Sequence, residues 1–132
     1  MLLPLTPADV RRVELRRVST DRGGDVVPGD LLASVTGADA VALVQLVADL
    51  PDDGMMRCFN PVYALEAHGA AGLLAEVAFC FRCHNALVAV PGGGRRELFG
   101  FDPGSAAGQA LLARFKAVDR PGSQQAPDRP GN

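Results

Sequence analysis

The sequence predicts an α+β domain: a mainly antiparallel sheet, with a β-meander in its C-terminal half, carrying two helices packed on one face. Three patterns point to it. Apolar and charged residues alternate over residues 10–19, two segments repeat apolar residues at near-helical spacing, and Gly-rich links at residues 69–72 and 91–94 separate strand-like apolar runs.

In the first strand Val13, Leu15 and, after two arginines, Val18 are apolar among Arg12, Glu14, Arg16 and Arg17, as on a half-exposed strand. Asp21-Arg22-Gly23-Gly24 turns the chain, and Pro28-Gly29 breaks the next segment, which reads as a loop with a second strand at residues 31–35. Thr36 then caps a helix over residues 37–50. Asp39 complements its dipole, Val41, Val44, Leu46, Val47 and Leu50 form its apolar stripe, and Pro51 stops it. Residues 62–68 and 74–90 form a hairpin about the Gly69–Gly72 link, and a strand at residues 96–101 completes a three-strand meander. Asp102 and Pro103 open a second helix, to about residue 118, with Leu111, Leu112, Phe115 and Val118 on its buried face. Residues 1–119 thus read as a single domain. Residues 120–132 have nothing to bury and read as a disordered tail.

A chain of 132 residues buries roughly two-thirds of its unfolded surface without help from a metal or a disulfide. Its 13 basic and 15 acidic residues give a formal net charge of −2, and the arginines come in small groups, which argues against a nucleic-acid partner. With six Phe, one Tyr and no Trp, stacking platforms for single strands are scarce as well. The first residues lack a basic n-region and are interrupted by Pro4 and Pro7, so no signal peptide is read. No apolar run approaches the ~20 residues of a membrane span, and the expected location is cytoplasmic, away from membranes. There the three cysteines are expected as reduced thiols or metal ligands, the odd number leaving one over in any pairing. The heavy use of Ala, Gly, Arg and Val suits a bacterium with a GC-rich genome.

Chemistry concentrates in Cys80-Phe81-Arg82-Cys83-His84 and Cys58. With the hairpin centred near residues 70–71, facing residues have numbers summing to about 141 or 142 by antiparallel pairing, which sets Tyr63 against Phe79 and Leu65 against Val77. The same register brings Cys58 opposite Cys83 or His84. His68 falls at the far end, roughly 20 Å from Cys80 at 3.3 Å per strand residue, and reads as a solvent-facing turn residue. Residues three apart on a strand point to opposite faces, so Cys80 and Cys83 share a ligand only across a bulge or tight turn, and a strand of 17 residues, much longer than usual, places such an interruption near Phe81 to His84.

Four readings compete. The leading one is a small non-enzymatic metal-binding or regulatory protein with zinc held by Cys58, Cys80, Cys83 and His84, since three sulfurs and an imidazole match a tetrahedral site. The second is a thiol redox protein or sensor using the Cys80 and Cys83 pair, with Cys58 as resolving thiol. The third is an interaction module with a protein partner, in which the cysteines only pack. The literal Cys-x-x-Cys-His pattern also matches covalent haem attachment; the absent export signal, the strand setting and the lack of a placed second axial ligand argue against it.

Weaker signals have ordinary explanations. Gly92-Gly93-Gly94-Arg95-Arg96 offers amides and guanidiniums to an anion but reads as a hairpin loop, and Glu66 facing Glu76 reads as solvated strand residues rather than a catalytic pair. Over residues 58–118, Cys58-Phe59-Asn60-Pro61 followed by Phe79-Cys80-Phe81-Arg82-Cys83-His84-Asn85 resembles small uncharacterised bacterial proteins with a Cys-x-x-Pro segment and a downstream Cys-Phe-x-Cys strand. The resemblance implies no activity.

Overall fold

Alternation in the strands and the two helical stripes meet in one core. The computed structural model describes residues 1, 3–20, 26–92 and 96–119; the expected turn at 21–24 and the tail lie outside the described residues. After a single 3₁₀ turn, the elements are β1 (Arg12–Thr20), β2 (Val26–Thr36), α1 (Gly37–Ala48), β3 (Tyr63–Gly69), β4 (Gly72–Cys80), β5 (Asn85–Ala89), β6 (Arg96–Gly100) and α2 (Ala106–Val118). The strands form a six-stranded sheet of order β2-β1-β3-β4-β5-β6, with every neighbouring pair antiparallel.

One row across the sheet runs Leu15, Leu65, Val77, Val88, and its neighbours are Val13 with Ala67 and Phe79 with Ala86. These residues are buried against Ala40, Leu43, Val44 and Val47 of α1 and Leu111 and Phe115 of α2, so both helices cover the same face. Burying each of Phe79, Phe101 and Phe115 contributes about 1.5–3 kcal/mol, more than any single neutral hydrogen bond at roughly 0.5–1.5 kcal/mol. Tyr63 stacks on Phe115 with ring centroids 4.7 Å apart. Its hydroxyl donates to Asp119 at 2.8 Å, and Arg17 pairs with the same carboxylate, so the end of α2 is clamped to β1 and β3. The Met1 ammonium donates to the carbonyls of Ala48 and Leu50, positive charge meeting the negative end of the α1 dipole.

The β3–β4 register follows the hydrophobic pattern, with Tyr63 facing Phe79, Leu65 facing Val77, and Gly69 facing Gly72 across the turn. Three elements differ from the sequence reading. The single strand expected over 74–90 is two strands, because residues 81–84 form a tight turn whose last residue, His84, has φ 59°. Histidine enters this left-handed region more readily than most residues, and so the turn carries no Gly or Pro. The meander therefore has four strands, β3 to β6. Second, β2 runs through Pro28-Gly29, which an edge strand tolerates and which coincides with shifts in its register against β1. Third, α2 is capped by Ser105, whose Oγ accepts from Gly108 N at 3.0 Å, while Asp102 instead closes the preceding turn by accepting from Gly104 N at 2.9 Å.

Residues 51–62, which lead from α1 to β3, act as a strap along one end of the sheet. Asp52 bridges Phe101, Met56 N donates to Cys83 O at 3.0 Å, and Val62 N donates to Phe79 O at 3.3 Å. Gly100 makes the close approach possible, since a Cβ there would collide with the Asp53 carbonyl oxygen. Gly100→Ala is expected to lower stability by about 1–3 kcal/mol through overpacking against this backbone. A shift of the urea midpoint at unchanged slope is the check, and a variant as stable as the parent would remove the strap from the fold's essential contacts.

Candidate functional site

Sheet positions that alternate with the core point to the face the helices leave uncovered, and the reactive side chains gather at its two ends. At the strap end, Cys80 pairs with Asn85 in the β4–β5 register and Asn85 with Gly100 in the β5–β6 register, so these three lie side by side. Cys80 and Asn85 are both fully buried. The Asn85 Nδ2 donates to Cys58 O at 2.8 Å and to Met56 O at 3.3 Å, which fixes the strap, while its Oδ1 is buried with no hydrogen-bond partner.

The strap brings Cys58 to the turn. Cys58 and Cys83 form a disulfide, with Cα atoms 5.6 Å apart, and Cys80 is a free, buried cysteine. Reduced thiols or metal ligands were the expectation for all three; the strap's hydrogen bonds to Asn85 and Cys83 hold two of the sulfurs at bonding distance instead. Cys58 is exposed and Cys83 buried, so the bond joins a solvent-facing segment to an interior turn. His84 lies at the rim, its Nδ1 3.7 Å from Asp53 Oδ2 on the strap. Of the four predicted ligands, Cys58 and Cys83 are joined directly, and Cys80 and His84 stand at the two limits of the same turn. Phe81 anchors that turn in the core, with ring centroids 5.7 Å from Phe79 and 5.6 Å from Phe101.

At the other end of the β3–β4 hairpin, one register row reads Glu14 on β1, Glu66 on β3 and Glu76 on β4, continuing to Ala89 and Arg96. Arg16 lies across it, donating from Nε to Glu66 Oε1 at 2.8 Å and from a terminal nitrogen to Glu14 Oε1 at 3.0 Å. These bonds lower the Glu14 pKa and raise that of Arg16. Among the described residues no guanidinium hydrogen-bonds Glu76, although Arg96 and Arg16 act on it through charge. Desolvation, together with its hydrogen bond and like charge to Glu66, pushes its carboxyl up from 4.5 to about 7. His68 is not the solvent-facing turn residue its position in the sequence suggests: its Nε2 is buried without a hydrogen-bond partner, 3.8 Å from Glu14 Oε1.

Sequence reasoning placed Glu66 against Glu76 but missed Glu14, Arg16 and His68 as their companions. The available signal was the spacing of Glu14 and Arg16 by two residues, which puts both on one strand face, together with Glu66 and His68 at the same spacing. Nothing local says that β1 lies beside β3. The Gly-rich segment at 93–95, read as a hairpin loop with an anion-binding alternative, lies outside the described residues. No helix among the described residues is long and apolar enough to cross a membrane. No protein-family model, curated protein or solved structure matches the chain.

The raised Glu76 carboxyl gives a pH signature. Its folded pKa of about 7 lies above the ordinary 4.5, so between those values the folded state holds a proton that the unfolded chain has lost, and stability declines as pH rises through that window. Glu76→Gln is expected to remove this part of the decline, gaining about 1 kcal/mol at pH 8 relative to pH 5 after allowance for solvent screening. Urea denaturation of both proteins at the two pH values measures it, and parallel pH dependence would place Glu76 in ordinary solvated surroundings.

Proposed function

We propose that the protein is a small non-enzymatic thiol switch in which the Cys58–Cys83 bond locks the strap to the β4–β5 turn. The observation that carries this reading is the asymmetric setting of the pair: an exposed Cys58 on the strap bonded to a buried Cys83 on the turn, with a third, free cysteine at Cys80. In the switching step a thiolate of a dithiol reductant attacks one sulfur, the other leaves as a thiolate, and the reductant's second thiol resolves the mixed disulfide. The protein gains two thiols and the reductant becomes a disulfide. A cytoplasmic setting would make the reduced state the resting one and the disulfide a transient signal.

A second reading uses the reduced state. Zinc held by Cys58, Cys80, Cys83 and His84 is supported by the turn at residues 81–84, since a regular strand would point Cys80 and Cys83 to opposite faces; these four do not stand together as a ligand group in the disulfide-bonded chain, so the reduced chain would have to draw them together. The two readings meet in one mechanism, since oxidation of Cys58 and Cys83 would withdraw two of the four ligands.

Closing a loop across a sequence separation of 25 stabilises the oxidised chain by about 3.5 kcal/mol in the chain-entropy model. Cys58→Ser is therefore expected to be less stable than the oxidised parent by about 2–4 kcal/mol and to match it once both are reduced, as read by denaturant midpoints with and without dithiothreitol. A parent insensitive to reductant would overturn the switch. For the zinc reading, elemental analysis of protein purified reduced and without chelator should give one zinc per chain more than the disulfide-bonded form, with thiols that label only after chelation. His84→Gly removes the imidazole while suiting the left-handed φ of 59°, so it should weaken zinc binding at least tenfold with little loss of stability. Unchanged zinc affinity would take His84 out of the ligand set.

A further inference from the structure

The geometry points to a divalent-metal site on the uncovered face of the sheet, formed by His68 Nε2 and the carboxylates of Glu14 and Glu66, for a first-row ion of the zinc type. It lies at the opposite end of the β3–β4 hairpin from the cysteines and does not depend on their chemistry.

One ligand atom from each of the three side chains lies within 4.8 Å of the other two. Bonds of about 2.0–2.2 Å to one ion place ligand atoms about 3.0–3.6 Å apart, so small side-chain movements without backbone change close the shell. The His68 Nε2 supplies an observation independent of the acidic residues. It is buried, has no hydrogen-bond partner, and stands 3.8 Å from Glu14 Oε1, too far for a hydrogen bond and close to the spacing of two ligands on one ion. A buried imidazole nitrogen with no hydrogen-bond partner is available as a ligand atom.

The surroundings are those of an outer ligand shell. Arg16 holds Glu14 Oε1 and Glu66 Oε1, fixing both carboxylates, and Arg12 approaches Glu14 Oε2 at 3.5 Å. Glu76, directly across from Glu66, adds a further carboxylate to the row. One imidazole and two carboxylates make a mixed nitrogen and oxygen set, which suits zinc and its first-row neighbours better than magnesium, whose sites are built from oxygen. Three protein ligands leave a position for solvent, and because they come from β1 and β3 the ion would tie those two strands together.

The test uses the full chain in its disulfide-bonded form, titrated with Zn²⁺ against a chromophoric chelator, with Mg²⁺ as the comparison ion. The expected result is one zinc per chain, affinity lowered at least tenfold by Glu14→Gln and by His68→Ala, no change with Glu97→Gln, an exposed carboxylate on β6, and no competition from Mg²⁺ at equal concentration. Because His68→Ala can disturb the fold, the parent carries its own readout: the ¹⁵N resonance of His68 Nε2 should shift on adding zinc. Absence of zinc binding by the disulfide-bonded chain, affinity unchanged in Glu14→Gln, or zinc bound without a shift at His68 would each overturn the site.

Discussion

Covering a six-stranded sheet with helices on one side only is the constraint from which the rest follows. Period-two alternation then sends half of every strand to a face with no second layer, and each residue there must find partners among its neighbours. At one end the solution is a strap of backbone, at the other a lattice of charges around Arg16. Both candidate sites sit on this face, where polar groups are held close without entering the core.

The strap is held by more than its disulfide. Asn85 donates to two of its carbonyls, Met56 N reaches Cys83 O, and Gly100 removes the side chain that would stand in the way. Each hydrogen bond contributes roughly 1 kcal/mol, against about 3.5 kcal/mol for the cross-link, so the two sets of restraints are comparable in size. Reduction should therefore loosen the segment without releasing it, and the thiols would stay near one another. That is the property a reversible switch or a metal site needs, because neither has to reassemble from a disordered loop.

How much of this was legible in the sequence depends on the range of the determining contacts. The β3–β4 pairing could be read because Gly69 and Gly72 fix a two-residue turn and the apolar pairs Tyr63–Phe79 and Leu65–Val77 select the register beyond it, which shifts by one residue between Ala67 and His68. The helices could be read from Thr36, Pro51 and their apolar spacing, although Ser105 rather than Asp102 proved to cap α2. The turn at residues 81–84 could be read only as an interruption of an overlong strand, and not as a turn type, since its positive φ falls on a histidine rather than on Gly. The proximity of Cys58 to Cys83 followed from extending the hairpin register, but their bonding depends on a strap whose path is set by Asn85 and Gly100. The place of Glu14 in the carboxylate row was not legible for a different reason. Glu14 and Glu66 meet only because β1 takes its place beside β3 after an intervening strand and helix, a choice made by core packing rather than by any local pattern.

Two local rules are broken in this fold, and both breaks fall at groups with chemistry to offer. A non-glycine residue with positive φ costs about 1–2 kcal/mol, and His84 accepts that cost next to Cys83. Like charges directly opposite on neighbouring strands are destabilising, yet Glu14, Glu66 and Glu76 stand in a single row with one guanidinium between the first two. A sheet selected only for stability would place threonine or lysine at one of these positions and glycine or asparagine in the turn. Sequences depart from local consistency mainly where a site requires it. The two departures therefore single out the same ends of the uncovered face that geometry does, the turn carrying the cysteines and the row carrying His68.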